Sequence, residues 1–171
     1  IGPGVAARRL VESIAAMSGG ALRIELFAAG EITPAFGVYD AVANGTVEMG
    51  HSAAFFQQGK TPVAALFTTF PFGLGPNEHA AWLDAGAQTM ADALYARAGL
   101  RARLAGNTGP STAGWFRKEL RSLDDVKGLR VRVAGFGGEI YRALGAVPIV
   151  TAPADTYPAL ERGVIDAAEF L

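Results

Sequence analysis

A unit that occurs twice constrains the fold most strongly. The run Tyr39-Asp40-Ala41-Val42-Ala43-Asn44-Gly45-Thr46-Val47-Glu48-Met49-Gly50-His51 lies in register with Tyr157-Pro158-Ala159-Leu160-Glu161-Arg162-Gly163-Val164-Ile165-Asp166-Ala167-Ala168-Glu169. Tyr, Ala, Gly and an apolar–acid pair recur in the same places. Upstream, Leu22-Arg23-Ile24-Glu25-Leu26 resembles Leu129-Arg130-Val131-Arg132-Val133. Each copy reads as a strand, a helix, and a helix closed by glycine before another strand. Any helix–Gly–strand unit shares part of this pattern. The sharper reading is two similar α/β lobes facing each other across a cleft, with strand ends pointing into it.

Periodicity fills in the elements. Residues 5–17 carry apolar groups at helical spacing and stop at Gly19-Gly20. Alternation predicts a strand over Leu22–Phe27, and β-rich runs predict strands over Val47–Ser52, Phe67–Phe72 and Leu100–Ala105. A second helix runs from Pro34 to Asn44-Gly45, and Asn77 is placed to cap a long helix to about Ala98. Further on, strands are expected at Trp115-Phe116, Leu129–Val133, Val147–Val150 and Val164–Ala168. Between them fall a helical turn at Ser122–Val126 and helices at Phe136–Leu144 and Asp155–Arg162. Strands alternating with helices imply an α/β chain with a largely parallel sheet. Residues 1–106 read as a first lobe and 107–171 as the start of a second.

Composition narrows the function classes. Of 171 residues, half are hydrophobic and 18% charged, which predicts a packed core. The formal charge of −1 gives no electrostatic reason to bind nucleic acid or a membrane surface. No apolar run reaches the roughly 18 residues of a membrane span. The chain has no cysteine, so disulfides, thiolate metal sites and thiol catalysis are excluded. No signal peptide is visible, and both ends read as cuts, with natural processing at the first as the alternative.

Catalytic signatures are missing. Neither His51 nor His79 lies in a metal-binding spacing, and there is no nucleophile elbow. His79 is expected at the surface. His51 ends a predicted strand, which leaves a cleft position open beside a plain surface one. Gly135-Phe136-Gly137-Gly138 is neither a dinucleotide fingerprint nor a P-loop, and reads as a tight strand–helix turn. Arg132 sits between Val131 and Val133, beside that turn. A guanidinium there matches a carboxylate through two parallel donors. From spacing alone, a solvated strand face shared with Arg130 stands equally open. Glu169, flanked by apolar residues, is either a structural residue at a sheet edge or a ligand for a cation.

The sequence resembles the extracytoplasmic solute receptors of TRAP transporters, the DctP type. The residues that carry the resemblance include Gly106-Asn107-Thr108-Gly109, Gly114-Trp115-Phe116-Arg117-Lys118-Glu119 and the run from Ser122 to Arg132. Further on they include Gly137-Gly138-Glu139, Leu144-Gly145-Ala146, Tyr157-Pro158-Ala159-Leu160 and Gly163-Val164-Ile165-Asp166-Ala167. Nearer the start they include Met17-Ser18-Gly19-Gly20, Ala29-Gly30-Glu31 and Glu48-Met49-Gly50-His51-Ser52. The likeness covers essentially the whole chain and is greatest to the branch that binds α-keto acids.

The resemblance implies a periplasmic-binding-protein type II-like α/β fold, two lobes around a cleft, incomplete in this chain. It implies a periplasmic protein, not an enzyme, that binds a 2-oxo or 2-hydroxy monocarboxylate. The acid would pass to TRAP membrane subunits driven by an ion gradient, and a homodimer is compatible with the family. Arg132 matches the arginine that pairs with the ligand carboxylate. Glu169 matches an acid holding a bridging cation, sodium or calcium. Phe170 stands where Trp is usual, and the backbone carbonyl there is the metal ligand. Asn107 matches a polar cleft residue, and Phe55 and Phe56 match aromatics facing the ligand. Ser111 stands where the branch carries a Gln reaching ligand and metal, which leaves room for water or a bulkier ligand. Two other readings remain: the extracellular sensing domain of a receptor, and an α/β enzyme acting on an anionic substrate.

Overall fold

The computed structural model describes residues 2–68 and 70–170. The chain divides into two compact units, 1–52 with 76–108, and 53–75 with 109–171. The segment 53–75, expected within the first lobe, therefore belongs to the second unit. Its Phe70 meets Phe136 of that unit edge to face, with ring centroids 5.9 Å apart.

The first unit is helical among its described residues. Helix α1 spans Gly2–Met17, a short 3₁₀ turn Ala35–Gly37 leads into α2, Val38–Ala43, and α3 and α4 span Pro76–Trp82 and Gln88–Ala96. The long helix expected from Asn77 is interrupted between α3 and α4. Leu83–Ala87 forms a π-helical turn around Gly86, whose φ of 129° a right-handed helix cannot carry.

The strands expected at 22–27, 47–52 and 100–105 are not formed. These stretches are extended or bent, but no neighbouring strand hydrogen-bonds to them among the described residues. Alternation specifies an extended backbone, whereas a strand also needs a partner. Leu22, Leu26 and Phe27 stay about half exposed as a result. The strand expected at 67–72 fails differently. Pro62–Phe67 winds into a 3₁₀ helix with proline at its first turn, and residue 69 lies outside the described residues.

The second unit holds the sheet. Its strands are β1 (Trp115–Phe116), β2 (Arg130–Arg132), β3 (Val147–Ile149) and β4 (Ala167–Ala168), in the order β1-β4-β2-β3. β2 pairs in parallel with both β3 and β4, while β1 pairs antiparallel with β4, so the sheet is mixed. Helix α5, Phe136–Ala143, links β2 to β3, and α6, Thr156–Glu161, links β3 to β4. Val126, Leu129, Val131, Val133, Ala146 and Ala167 form the core, with Phe116, Leu120, Tyr141 and Leu144 packed against it.

The repeated unit is real at the level of hydrogen bonds. After α2, Gly45 N–H donates to Val42 O at 3.1 Å and Thr46 N–H to Ala41 O at 2.8 Å. After α6, Gly163 N–H donates to Leu160 O at 3.1 Å and Val164 N–H to Ala159 O at 2.9 Å. Both are the paired bonds of a Schellman cap, and both need a left-handed residue, supplied by Gly45 at φ 78° and Gly163 at φ 70°. The second copy then enters a paired strand and the first does not.

Val131 is fully buried, whereas Val147 on edge strand β3 is about half exposed. Val131→Ala should lower the unfolding free energy of the full-length protein by about 2–3 kcal/mol, and Val147→Ala by less than about 0.5 kcal/mol. Equal losses in chemical denaturation would contradict this placement of the core.

Candidate functional site

Two arginines lie on β2, and the structure treats them oppositely. Arg130 meets a carboxylate of its own chain. Its Nε and Nη2 donate to Asp166 Oδ2 and Oδ1 at 2.9 and 2.8 Å, the two-bond fork of a guanidinium on a carboxylate. Its backbone N–H adds a 2.9 Å bond to Asp166 Oδ2, and Nη2 also reaches Gly163 O at 2.8 Å. These bonds to Arg130 hold the Asp166 carboxyl down to about 2, from an ordinary 3.8.

Arg132 is 5% exposed. Its Nη1 donates to Glu169 O at 2.8 Å, and Nη2 makes only a long 3.5 Å contact with Thr151 O. Its Nε–H is buried with no hydrogen-bond partner among the described residues. Nε and Nη2 form the same edge that Arg130 gives to Asp166. Leaving such a donor unsatisfied costs about 1–3 kcal/mol. Burial pushes the Arg132 pKa down, and the negative charge of Glu169 opposes this. The Phe170 ring covers the face of the guanidinium, 5.1 Å from Cζ to the ring centroid. A flat anion approaching in the plane of the guanidinium would meet the unsatisfied edge, not the ring.

The structure joins three of the expected residues by direct contact: Arg132, Glu169 and Phe170. Glu169 N–H donates to Arg132 O at 2.8 Å, which continues the β2–β4 pairing past β4. Its carboxylate Oε2 stays 3.9 Å from Arg132 Nη1, too far for a hydrogen bond. Arg132 thus does not sit on a solvated strand face. Phe55 and Phe56 lie in the same unit, on a 3₁₀ turn Ala54–Gln57, their rings 4.4 Å apart. Ser111 is exposed in the irregular stretch before β1. His51 and Asn107 are exposed in the first unit. His79, expected at the surface, is buried instead, its ring 5.9 Å from that of Trp82, so it belongs to the packing of α3.

Sequence reasoning passed over four neighbours of this cluster. Thr151 offers its carbonyl to Arg132 and carries a buried hydroxyl with no hydrogen-bond partner among the described residues. Trp115 Nε1–H donates to Phe170 O at 3.2 Å. Tyr141 donates from its hydroxyl to Ala113 O at 2.7 Å, and burial and the nearby Glu169 charge push its pKa up. Asp166 closes Arg130. Of these only Asp166 carried a signal, as the acid of the repeated apolar–acid pair.

Among the described residues no group of three or more His, Cys, Asp or Glu side chains could hold a metal ion. The Glu169 carboxylate lies near Arg132, and the Phe170 carbonyl, one residue on, faces Trp115; oxygens of these two types suit a hard cation such as sodium or calcium. The carbonyl oxygen has two lone pairs, one of which accepts from Trp115. A cation held here would need further oxygens from a ligand or from water.

The sequence profile of the DctP bacterial extracellular solute-binding proteins, family 7, matches residues 4–170. The chain belongs to the DctP family. It is 40% identical to a monocarboxylate 2-oxoacid-binding periplasmic protein of Nostoc, over 100% of this chain and 47% of that protein. Among solved structures it resembles a TRAP periplasmic solute-binding protein of Pseudoalteromonas atlantica with bound sodium and pyruvate. That likeness has a TM-score of 0.95 and 38% identity, over 99% of this chain and 52% of the other. It also resembles a TRAP solute-binding protein of Bordetella bronchiseptica, with a TM-score of 0.94 and 37% identity, over 97% of this chain and 50% of the other. That structure is a mixed-occupancy dimer with copurified calcium and picolinate in one active site and an apo site in the other. The chain spans about half the length of the relatives it matches. DctP proteins of known structure in this comparison are TRAP periplasmic binding proteins of type II-like α/β fold, and they are binders, not enzymes. No helix among the described residues is long and apolar enough to cross a membrane.

Because the folded Asp166 carboxyl titrates well below its ordinary value, its stabilising bonds are complete above the ordinary value and vanish as pH falls through the folded one. The stability margin of the parent over Asp166→Asn should be constant above about pH 5, shrink below about pH 4 and be gone near pH 2. A margin independent of pH, measured by denaturant titration, would contradict the pairing.

Proposed function

We propose that this DctP chain is part of a periplasmic solute-binding protein that captures a 2-oxo or 2-hydroxy monocarboxylate on Arg132 and delivers it to TRAP membrane subunits. The observation that carries the reading is the unsatisfied Nε edge of a buried arginine, beside a second arginine whose identical edge is closed by Asp166. A buried guanidinium with its fork unmatched favours a carboxylate over any neutral solute, because charge-assisted bonds strengthen where water is excluded. The relatives that bind pyruvate, picolinate and 2-oxo acids support an acid of this class.

Glu169 and the Phe170 carbonyl would hold a sodium or calcium ion, and the cation would supply positive charge to a second oxygen of the acid. The protein's own part is to bind and orient: Arg132 in the plane of the carboxylate, Phe170 over the guanidinium, Glu169 beside it. Ser111, Phe55 and Phe56 of the same unit, and Asn107 and His51, are assigned to ligand binding in this reading. A binder needs no more than this, since ligand shifts the protein to the conformation it prefers by its differential affinity. A division into two lobes, with 53–75 counted in the second, and a homodimer like that of the Bordetella relative belong to the same reading.

Arg132 donates to backbone carbonyls, so an alanine there would also loosen the fold. Arg132→Met keeps the buried stem and is the cleaner test. In the full-length protein it should weaken binding of pyruvate by more than about 100-fold in calorimetry. Near-parental affinity would overturn the assignment of Arg132. Pyruvate affinity of the parent should fall on adding a chelator to calcium-loaded protein, and Glu169→Gln should remove that sensitivity. A chelator-insensitive parent in sodium-free buffer would overturn the cation part alone.

A further inference from the structure

Phe170 lies past the end of β4, beyond the last ladder bonds of the sheet. Its ring nevertheless lies over Arg132 and its carbonyl turns toward β1. Something other than strand pairing must fix it. The sheet register shows what does. Trp115 on β1 pairs with Ala168 on β4, and Ala168 pairs with Arg132 on β2. The three residues form one row across three strands, and residues paired directly across a sheet share a face. Adjacent strands lie about 4.8 Å apart, so Trp115 and Arg132 flank Ala168 at roughly twice that distance. Alanine in the middle leaves a gap that larger side chains can span. Trp115 spans it from one side, reaching Phe170 O with its indole N–H at 3.2 Å. The Phe170 ring closes it from the other, over Arg132.

Trp115 is 63% exposed, so it adds little to the core. An exposed indole whose polar atom is spent on a single backbone carbonyl is a poor packing residue and a good tether. From this row we propose that Trp115 is a positioning residue for the acid site. Its N–H fixes the Phe170 peptide, which sets the aromatic face over Arg132 and leaves the second lone pair of the carbonyl free for a cation. This rests on the acid-and-cation reading of the site and extends it to a residue outside the direct contacts. Trp115 does not touch the ligand in this scheme; it acts through Phe170.

The test uses the full-length protein and Trp115→Phe, which keeps an aromatic ring and removes only the donor. Pyruvate affinity in calcium should fall about tenfold, as expected for one hydrogen bond to a carbonyl. The calcium concentration that half-restores binding should rise by a similar factor. The melting temperature should stay within about 2 °C, because the side chain is exposed. Without ligand, amide exchange at Glu169 and Phe170 should quicken in the variant while that of Val131 stays unchanged. In protein labelled with 5-fluorotryptophan, the resonance missing from Trp115→Phe should shift when calcium and pyruvate are added. A purely structural tryptophan would move the melting temperature and leave the calcium requirement unchanged. A parent that binds pyruvate and calcium, with a variant matching it in affinity and calcium requirement, overturns the role of Trp115 alone. A parent that binds neither pyruvate nor calcium overturns the acid reading, and this role with it.

Discussion

A guanidinium buried in a β-sheet must find acceptors for its donors within a few ångströms, because water is not there to supply them. Arg132 meets this constraint only in part. Glu169 O takes one donor at 2.8 Å, Thr151 O takes another weakly, and Nε takes none among the described residues. The face of the group is covered by Phe170, and its strand is flanked by β3 and β4. Burial lowers the arginine's pKa, so the fold works against the charge, yet a guanidinium starts from so high a value that it stays ionised near neutrality. The unmet demand is local and directional, confined to one edge of the guanidinium.

Arg130 shows what the same side chain looks like when its demands are met. Two positions earlier on the strand, it forks Asp166 and caps Gly163, and its backbone joins the same carboxylate. That pair ties β2 to β4 at one end. At the other end the tie is made by Glu169 N–H to Arg132 O and by the arginine's own bond to Glu169 O. The register of β4 on β2 is thus set by two arginines, and it carries Glu169 and Phe170 to their places. Structure and site are continuous here: the interaction that closes the sheet on one side leaves the unsatisfied edge on the other.

Much of this was legible in the sequence, and the reasons for success and failure differ. The repeated unit was legible because a Schellman cap needs a left-handed residue, and Gly45 and Gly163 mark those caps in identical settings. The strands of the second unit were legible because Val131 and its neighbours are β-branched and buried. The strands expected in the first unit were not formed, because alternation at Leu22–Phe27 says nothing about whether a partner strand lies alongside. The break at Gly86 was missed because a single glycine inside a helical pattern is ambiguous until its φ is known. Spacing left Arg132 open between a clamp and a solvated face. Only burial and hydrogen-bond partners separate it from Arg130, and neither can be read from an alternating pair of arginines. The site contacts of Trp115 and Thr151 were invisible because they run through backbone carbonyls to partners distant in sequence.

The most direct measurement is a crystal structure of the full-length protein with pyruvate and calcium. The carboxylate is expected in the plane of the Arg132 guanidinium, with an oxygen within about 3.2 Å of Nε, and the cation on Glu169 and the Phe170 carbonyl. A carboxylate bound elsewhere, with Arg132 Nε still unpaired, would contradict the central role given to that arginine.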